Sequence, residues 1–114
     1  MLFPGNNAAG AEDMIAALGR ERVLIGLPNA GGDRQGYLVH HVWSRWFPLL
    51  LSELDGSRTA RAEAIVQLLR GAGLRARVQK NLGAYQKTHF AGLAPFAGAL
   101  YRVGGDVRKL AHTS

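Results

Sequence analysis

Lys87 is the residue of this chain best placed to do chemistry. On a helix opening at Asn81, its i±3, i±4 and i+7 neighbours are Gly83, Ala84, Phe90, Ala91 and Ala94. Leu82, Tyr85, His89 and Leu93 fall on another side of the same helix. An ammonium on a stripe of small residues has three readings. It snorkels to water over the small side chains, it lines a cleft as a catalytic amine whose pKa partial burial lowers, or it pairs with an acid on a second helix. Spacing alone leaves all three open.

The other chemistry-bearing types are weaker signals. Two loops, Gly5 to Gly10 and Gly31 to Gly36, match G-x-x-x-x-G, but neither continues into Lys-Ser/Thr, so neither is a P-loop. His40 and His41 are adjacent on an expected strand and point to opposite faces, with no acid at ligand spacing, so no metal site is expected. His89 stands two residues from Lys87, off its face, and reads first as a packed histidine. Glu53 and Asp55 would share a face if that segment is extended, which is the spacing of a two-carboxylate hydrolase, but the segment reads better as a solvated turn. No G-x-S-x-G nucleophile elbow is present.

Composition bounds what must position these groups. A chain of 114 residues with 47% apolar residues is at most one ordinary globular domain and is not expected to be disordered. With no cysteine there is no disulfide framework and no thiolate metal site, which fits a cytoplasmic protein. No run is long and apolar enough for a membrane helix, and MLFPGNNAAG does not read as a signal peptide. The net charge of +6 raises nucleic acid as a partner. The basic residues are scattered, however (Arg58, Arg61 and Arg70 on one helix, Arg75 and Arg77 on a strand), and no basic run is interleaved with aromatics. Solvated arginine-rich faces are therefore the expectation.

In chain order, Leu2 and Phe3 could end a strand, and Pro4 to Asn7 is a turn. Ala11 to Leu18 reads as a short helix with acids in its first turn and Gly19 as its stop. Arg22 to Leu27 is a continuous apolar run, expected to be a strand buried on both faces. Pro28 to Gly36 reads as a loop. Tyr37 to Trp43 and Trp46 to Leu51 read as strands with a turn near Ser44-Arg45, and the second is too apolar to face water. Ser52 to Gly56 reads as a turn and Ser57 as the N-cap of a helix reaching about Arg70, on which Ile65, Leu68, Leu69 and Ala72 repeat at helical spacing. Leu74 to Val78 alternates like a strand with one wet face. The Lys87 helix follows, disturbed near Pro95, and Asp106 to Ala111 forms a last short helix.

Set end to end, these pieces resemble the ketopantoate reductase family. The likeness runs through Asn6-Asn7-Ala8-Ala9-Gly10 before a helix, Arg22 to Gly26, Ser52 to Ser57, Arg61, Ala72-Gly73-Leu74, Tyr85-Gln86-Lys87, Pro95 and Gly104-Gly105-Asp106. The resemblance implies an α/β (α+β) architecture. Residues 1–51 would be the C-terminal part of a Rossmann-like nucleotide-binding domain, and residues 52–114 the first helices of an all-α substrate and dimerisation domain. It implies an NADPH-dependent 2-keto acid reductase, with Lys87 as general acid, Asn7 and His89 binding substrate, and Asn6 and Asn7 touching the cofactor. The implied partners are a small 2-keto acid and, as an option, a second copy in a homo-dimer, with no metal, membrane or nucleic acid.

Three positions depart from the family pattern: Tyr85 stands where a tryptophan is usual, and Ala91 and Ala94 replace two asparagines. They move the expected substrate away from ketopantoate itself. The family's G-x-G-x-x-G unit has no counterpart in the chain, which therefore reads as the middle of an enzyme, truncated at both ends and inactive alone. The alternative is a non-catalytic basic module that binds a protein or nucleic acid.

Overall fold

The computed structural model describes residues 1–43 and 46–112. It is a mixed α/β structure built on one four-stranded mixed sheet and a separate two-stranded hairpin. The chain opens with β1 (Leu2–Pro4), α1 (Glu12–Leu18), a 3-10 turn (Arg20–Arg22) and β2 (Leu24–Leu27). The hairpin strands β3 (Ala30–Gln35) and β4 (Leu38–Trp43) follow, then β5 (Leu49–Glu53) and α2 (Ala60–Gly71). β6 (Ala76–Val78), α3 (Leu82–Arg102) and α4 (Val107–Ala111) complete the described elements.

The main sheet has the order β1-β2-β5-β6. β1 and β2 are parallel, as are β5 and β6, while β2 and β5 are antiparallel. β1, α1 and β2 thus form a β-α-β unit, in which a helix crosses between parallel neighbours. Every residue of β2 and β5 is buried. That is what the continuous apolar run in β2 anticipates, because such a strand needs cover on both faces. Val23, Ile25, Leu27 and Leu50 cluster with Ala11 and Leu82 under α1 and the start of α3. Leu24, Leu49 and Leu51 pack on the other face with Ala62 and Val66 of α2 and with Ala76. Each fully buried leucine here contributes about 1.5–3 kcal/mol relative to exposure.

Several local expectations need correction. Residues 28–36 do not form a loop throughout: Ala30–Gln35 is a strand, paired from Ala30↔Trp43 to Gln35↔Leu38. It has no apolar alternation to reveal it, and both hairpin strands are exposed along their whole length. The connection is Gly36-Tyr37, with Gly36 at φ 62. A glycine first in a two-residue hairpin loop supplies the turn that matches strand twist. β5 begins at Leu49 rather than Trp46 and takes in Ser52 and Glu53, which the sequence assigns to a turn. Trp46 and Phe47 are exposed despite their apolarity. The expected turn near Ser44-Arg45 lies outside the described residues.

At the head of α2, Thr59 is the N-cap, accepting from the Ala62 backbone N–H, whereas Ser57 donates its own backbone N–H to Asp55. Asn81 precedes α3 in the left-handed region, φ 56 and ψ 41, and its side chain caps nothing. α3 runs through Pro95 without a break. Among the described residues no helix is long and apolar enough to cross a membrane. No group of three or more His, Asp or Glu among them could hold a metal ion.

Candidate active site

The turn after β1 is fixed by its own backbone and by one asparagine. The Asn7 N–H donates to the Gly5 carbonyl at 3.0 Å, and the Gly10 N–H to the Asn7 carbonyl at 3.0 Å. Asn7 Nδ2 donates back to the Phe3 carbonyl at 3.2 Å. The turn therefore stands at the carboxyl end of β1, beside the carboxyl end of β2. In open α/β sheets that is where ligands are received.

α3 is docked against this point by its first turns. Only Leu82 and Gln86 of that helix are buried. Gln86 Nε2 donates to the carbonyl oxygens of Gly5 and Gly26, at 2.9 Å each. Both partners are acceptors, so the amide orientation is fixed by the bonds it makes. That leaves Gln86 Oε1 buried with no hydrogen-bond partner.

Lys87, the next residue, lines a cavity of about 300 Å³ together with Asn7, Arg20, Glu12 and Gln86. The structure thus brings together two expected residues, Asn7 and Lys87, from opposite ends of the chain. Lys87 is exposed rather than partly buried.

Asn6 and His89 line a different cavity, of about 530 Å³, with Tyr85, Phe47, Leu93 and Leu27. The His89 ring stacks on Tyr85, one helical turn earlier, with centroids 6.2 Å apart and planes 10° apart. The four expected site residues therefore fall into two pairs, Asn7 with Lys87 and Asn6 with His89. Gly5 lines the second cavity and Gln86 the first, and the bond between these two residues runs between the pairs.

A third cavity, about 650 Å³, lies between the 3-10 turn and the head of α2 and shares Arg20 and Leu54 with the Lys87 cavity. Its lining includes Glu53, buried at the end of β5 and only 6% exposed. Arg61 donates to Glu53 through Nε at 2.7 Å and through a terminal guanidinium nitrogen, and the Thr59 hydroxyl donates at 2.5 Å. The bonds from Arg61 hold the Glu53 carboxyl below its ordinary value, with Thr59 adding to them and burial opposing. Asp55 is also held low, chiefly by hydrogen bonds from Ser57. Glu53 is thus a paired anchor of α2, and Asp55 caps a turn. Both line this cavity, but each is engaged by its own partner, Glu53 by Arg61 and Thr59 and Asp55 by Ser57.

Sequence reasoning missed Gln86, Arg20 and the Glu53–Arg61 pair as shaping residues. For Gln86 a signal exists: it stands four residues after Leu82, so it shares the buried face of the helix. His40 Nδ1 lies 3.4 Å from Asp33 on the hairpin, remote in sequence from every site residue. Comparison with protein-family models, curated proteins and solved structures gives no match to this chain.

Proposed function

We propose that the chain is part of an NADPH-dependent 2-keto acid reductase of the ketopantoate reductase type. In this reading residues 1–51 belong to the later part of a Rossmann-like nucleotide domain and residues 52–114 to the start of a helical substrate domain. One observation carries it: Asn7 and Lys87, which the resemblance assigns to substrate and to acid catalysis, line one cavity of about 300 Å³. The parallel β1–α1–β2 unit and the position of the asparagines at its carboxyl end support the nucleotide-domain half of the reading.

Only part of the cofactor finds a fit. Asn6 and Asn7 would meet the nicotinamide end, offering amide donors and acceptors at the strand terminus. The pyrophosphate has no cradle here, because no G-x-G-x-x-G occurs in the chain. When bound, the cofactor supplies hydride. Lys87 holds the keto oxygen through its ammonium and gives it a proton as negative charge develops there. Asn7 orients the substrate by a side chain already anchored on Phe3. Turnover belongs to a polypeptide that also carries a phosphate-binding β-α-β unit.

The test joins such a unit to this chain and measures NADPH binding and 2-keto acid reduction. NADPH should bind, and Lys87→Ala should cut turnover roughly 10²–10⁴-fold. Unchanged turnover removes Lys87 from the mechanism. If instead the chain binds DNA or RNA with steep salt dependence and never NADPH, it is a basic binding module.

A further inference from the structure

We propose that Arg20 anchors the single carboxylate of the ligand in the Asn7–Lys87 cavity. The role of Lys87 in this proposal rests on the reductase reading. The role of Arg20 does not.

Arg20 stands in the 3-10 turn between α1 and β2 and lines the same cavity as Lys87 and Asn7. Neighbouring arginines are committed elsewhere: Arg22 to Glu21, Arg58 to Glu63 and Arg61 to Glu53. Among the described residues Arg20 and Lys87 are in no ion pair. Arg20 also borders the larger cavity, where its charge reaches Asp55, but Asp55 takes its hydrogen bonds from Ser57. Arg20 thus adds to the lining a residue whose planar fork of donors is in no ion pair among the described residues, beside Lys87, a point charge.

That division of labour suits a 2-keto acid. A planar fork matches the two oxygens of a carboxylate, whereas an ammonium suits the single keto oxygen on the adjacent carbon. The lining carries two cations and one acid, Glu12, so one bound carboxylate brings it to neutrality. A second carboxylate would meet Glu12. Ile15, Ile25 and Leu54 supply apolar wall for an aliphatic side chain. A volume of about 300 Å³ is at the small end for ligand sites and suits a side chain of a few carbons.

The experiment titrates the chain with 2-ketoisovalerate, isovalerate and 2-oxoglutarate by NMR. Isovalerate shares the carboxylate and branch of the first probe but lacks the keto oxygen. The expected order is 2-ketoisovalerate over isovalerate, with 2-oxoglutarate weakest until Glu12→Gln is made. Arg20→Gln should weaken both monocarboxylates roughly 10–100-fold, as expected for a lost charged hydrogen bond. Arg20→Lys keeps the charge without the fork and should fall between; it also guards against a misfolded glutamine variant. Lys87→Ala should erase only the advantage of the keto acid.

Unchanged affinity in Arg20→Gln, or no binding of either monocarboxylate, overturns the proposal. If both monocarboxylates bind equally and both need Arg20, the Arg20 assignment stands and the reductase role of Lys87 falls. If the keto acid is preferred in a Lys87-dependent way but Arg20→Gln has no effect, the reductase reading stands and this proposal falls.

Discussion

Gln86 donates its side-chain amide to the carbonyl oxygen of Gly5 at 2.9 Å, tying α3 to the turn that carries Asn6 and Asn7. The same nitrogen reaches Gly26 in β2, so one side chain joins a helix to two parallel strands. Both carbonyls keep a second bond, Gly5 from the Asn7 N–H and Gly26 from the Gly5 N–H. Gln86→Leu therefore loses two hydrogen bonds but also removes the unpartnered Oε1. A net loss of about 1–2 kcal/mol is expected in urea unfolding at pH 7. Gln86→Glu should be worse at pH 7, because a carboxylate would face two carbonyl oxygens. Burial would raise its folded pKa above its unfolded one, so its deficit relative to wild type should shrink as pH falls. A Gln86→Glu protein as stable as wild type at pH 7 would rule out the double bond.

The Glu53–Arg61 pair sets part of the acid limb of stability. The folded pKa of Glu53 lies below its ordinary 4.5 because Arg61 donates to the charged form. A depressed carboxyl contributes stability that is complete above the unfolded value and is lost as pH falls through the folded one. Stability should thus decline below about pH 4.5. Glu53→Gln should flatten that decline, leaving the share due to Asp55. Arg61→Ala leaves a buried carboxylate with Thr59 as its remaining side-chain donor and should lower stability at pH 7, by less than for a dry pair because Arg61 is exposed. An acid limb identical in wild type and Glu53→Gln would dismiss the pair as its source.

Gly26 stands where a side chain would crowd three neighbours. A Cβ built there lies 3.1 Å from the Leu50 carbonyl oxygen, 3.2 Å from Leu2 Cδ1 and 3.3 Å from Pro4 Cα. Two of these neighbours are backbone and cannot swing away. Gly26→Ala should destabilise the chain by about 1–3 kcal/mol, as overpacking does. Thermal unfolding of the variant beside wild type measures it, and an unchanged midpoint would contradict the close approach of β1, β2 and β5.

Gly32 makes a sharper but more local demand. A Cβ there would sit 2.2 Å from the His40 carbonyl oxygen on the paired strand. Gly32→Ala should therefore unpair β3 from β4 at that point. The hairpin is exposed throughout, so the cost should appear as faster amide exchange in residues 30–43 and leave the main sheet protected. Equal loss of protection in β2 and β5 would mean the hairpin folds as one unit with the core.

The sheet was legible where burial left a strong mark on composition. Val23 to Leu27 and Leu49 to Leu51 are apolar because both faces are covered, and the helix from Ala60 declares itself by its repeat. The β3 strand was not legible, because Gly31, Gly32, Asp33 and Arg34 satisfy only backbone pairing and bury nothing. Thr59 displaced Ser57 as the cap because Ser57 is engaged by Asp55 within the turn. The proximity of Asn7 and Lys87 came from the order of motifs along the chain, since no local pattern links residues so distant. Gln86 went unassigned because its partners are backbone carbonyls, and its spacing from Leu82 announces burial but not those bonds.

The shallow footing of α3 has a mechanical consequence. The helix is 21 residues long, yet it is buried only at Leu82 and Gln86. At about 1.5 Å per residue, the backbone of Lys87 sits ~1.5 Å beyond the Gln86 fulcrum and that of Tyr101 ~22 Å beyond it. A swing that carries the far end through several ångströms hardly moves the lysine. Such a swing would leave Lys87 in the lining it shares with Asn7.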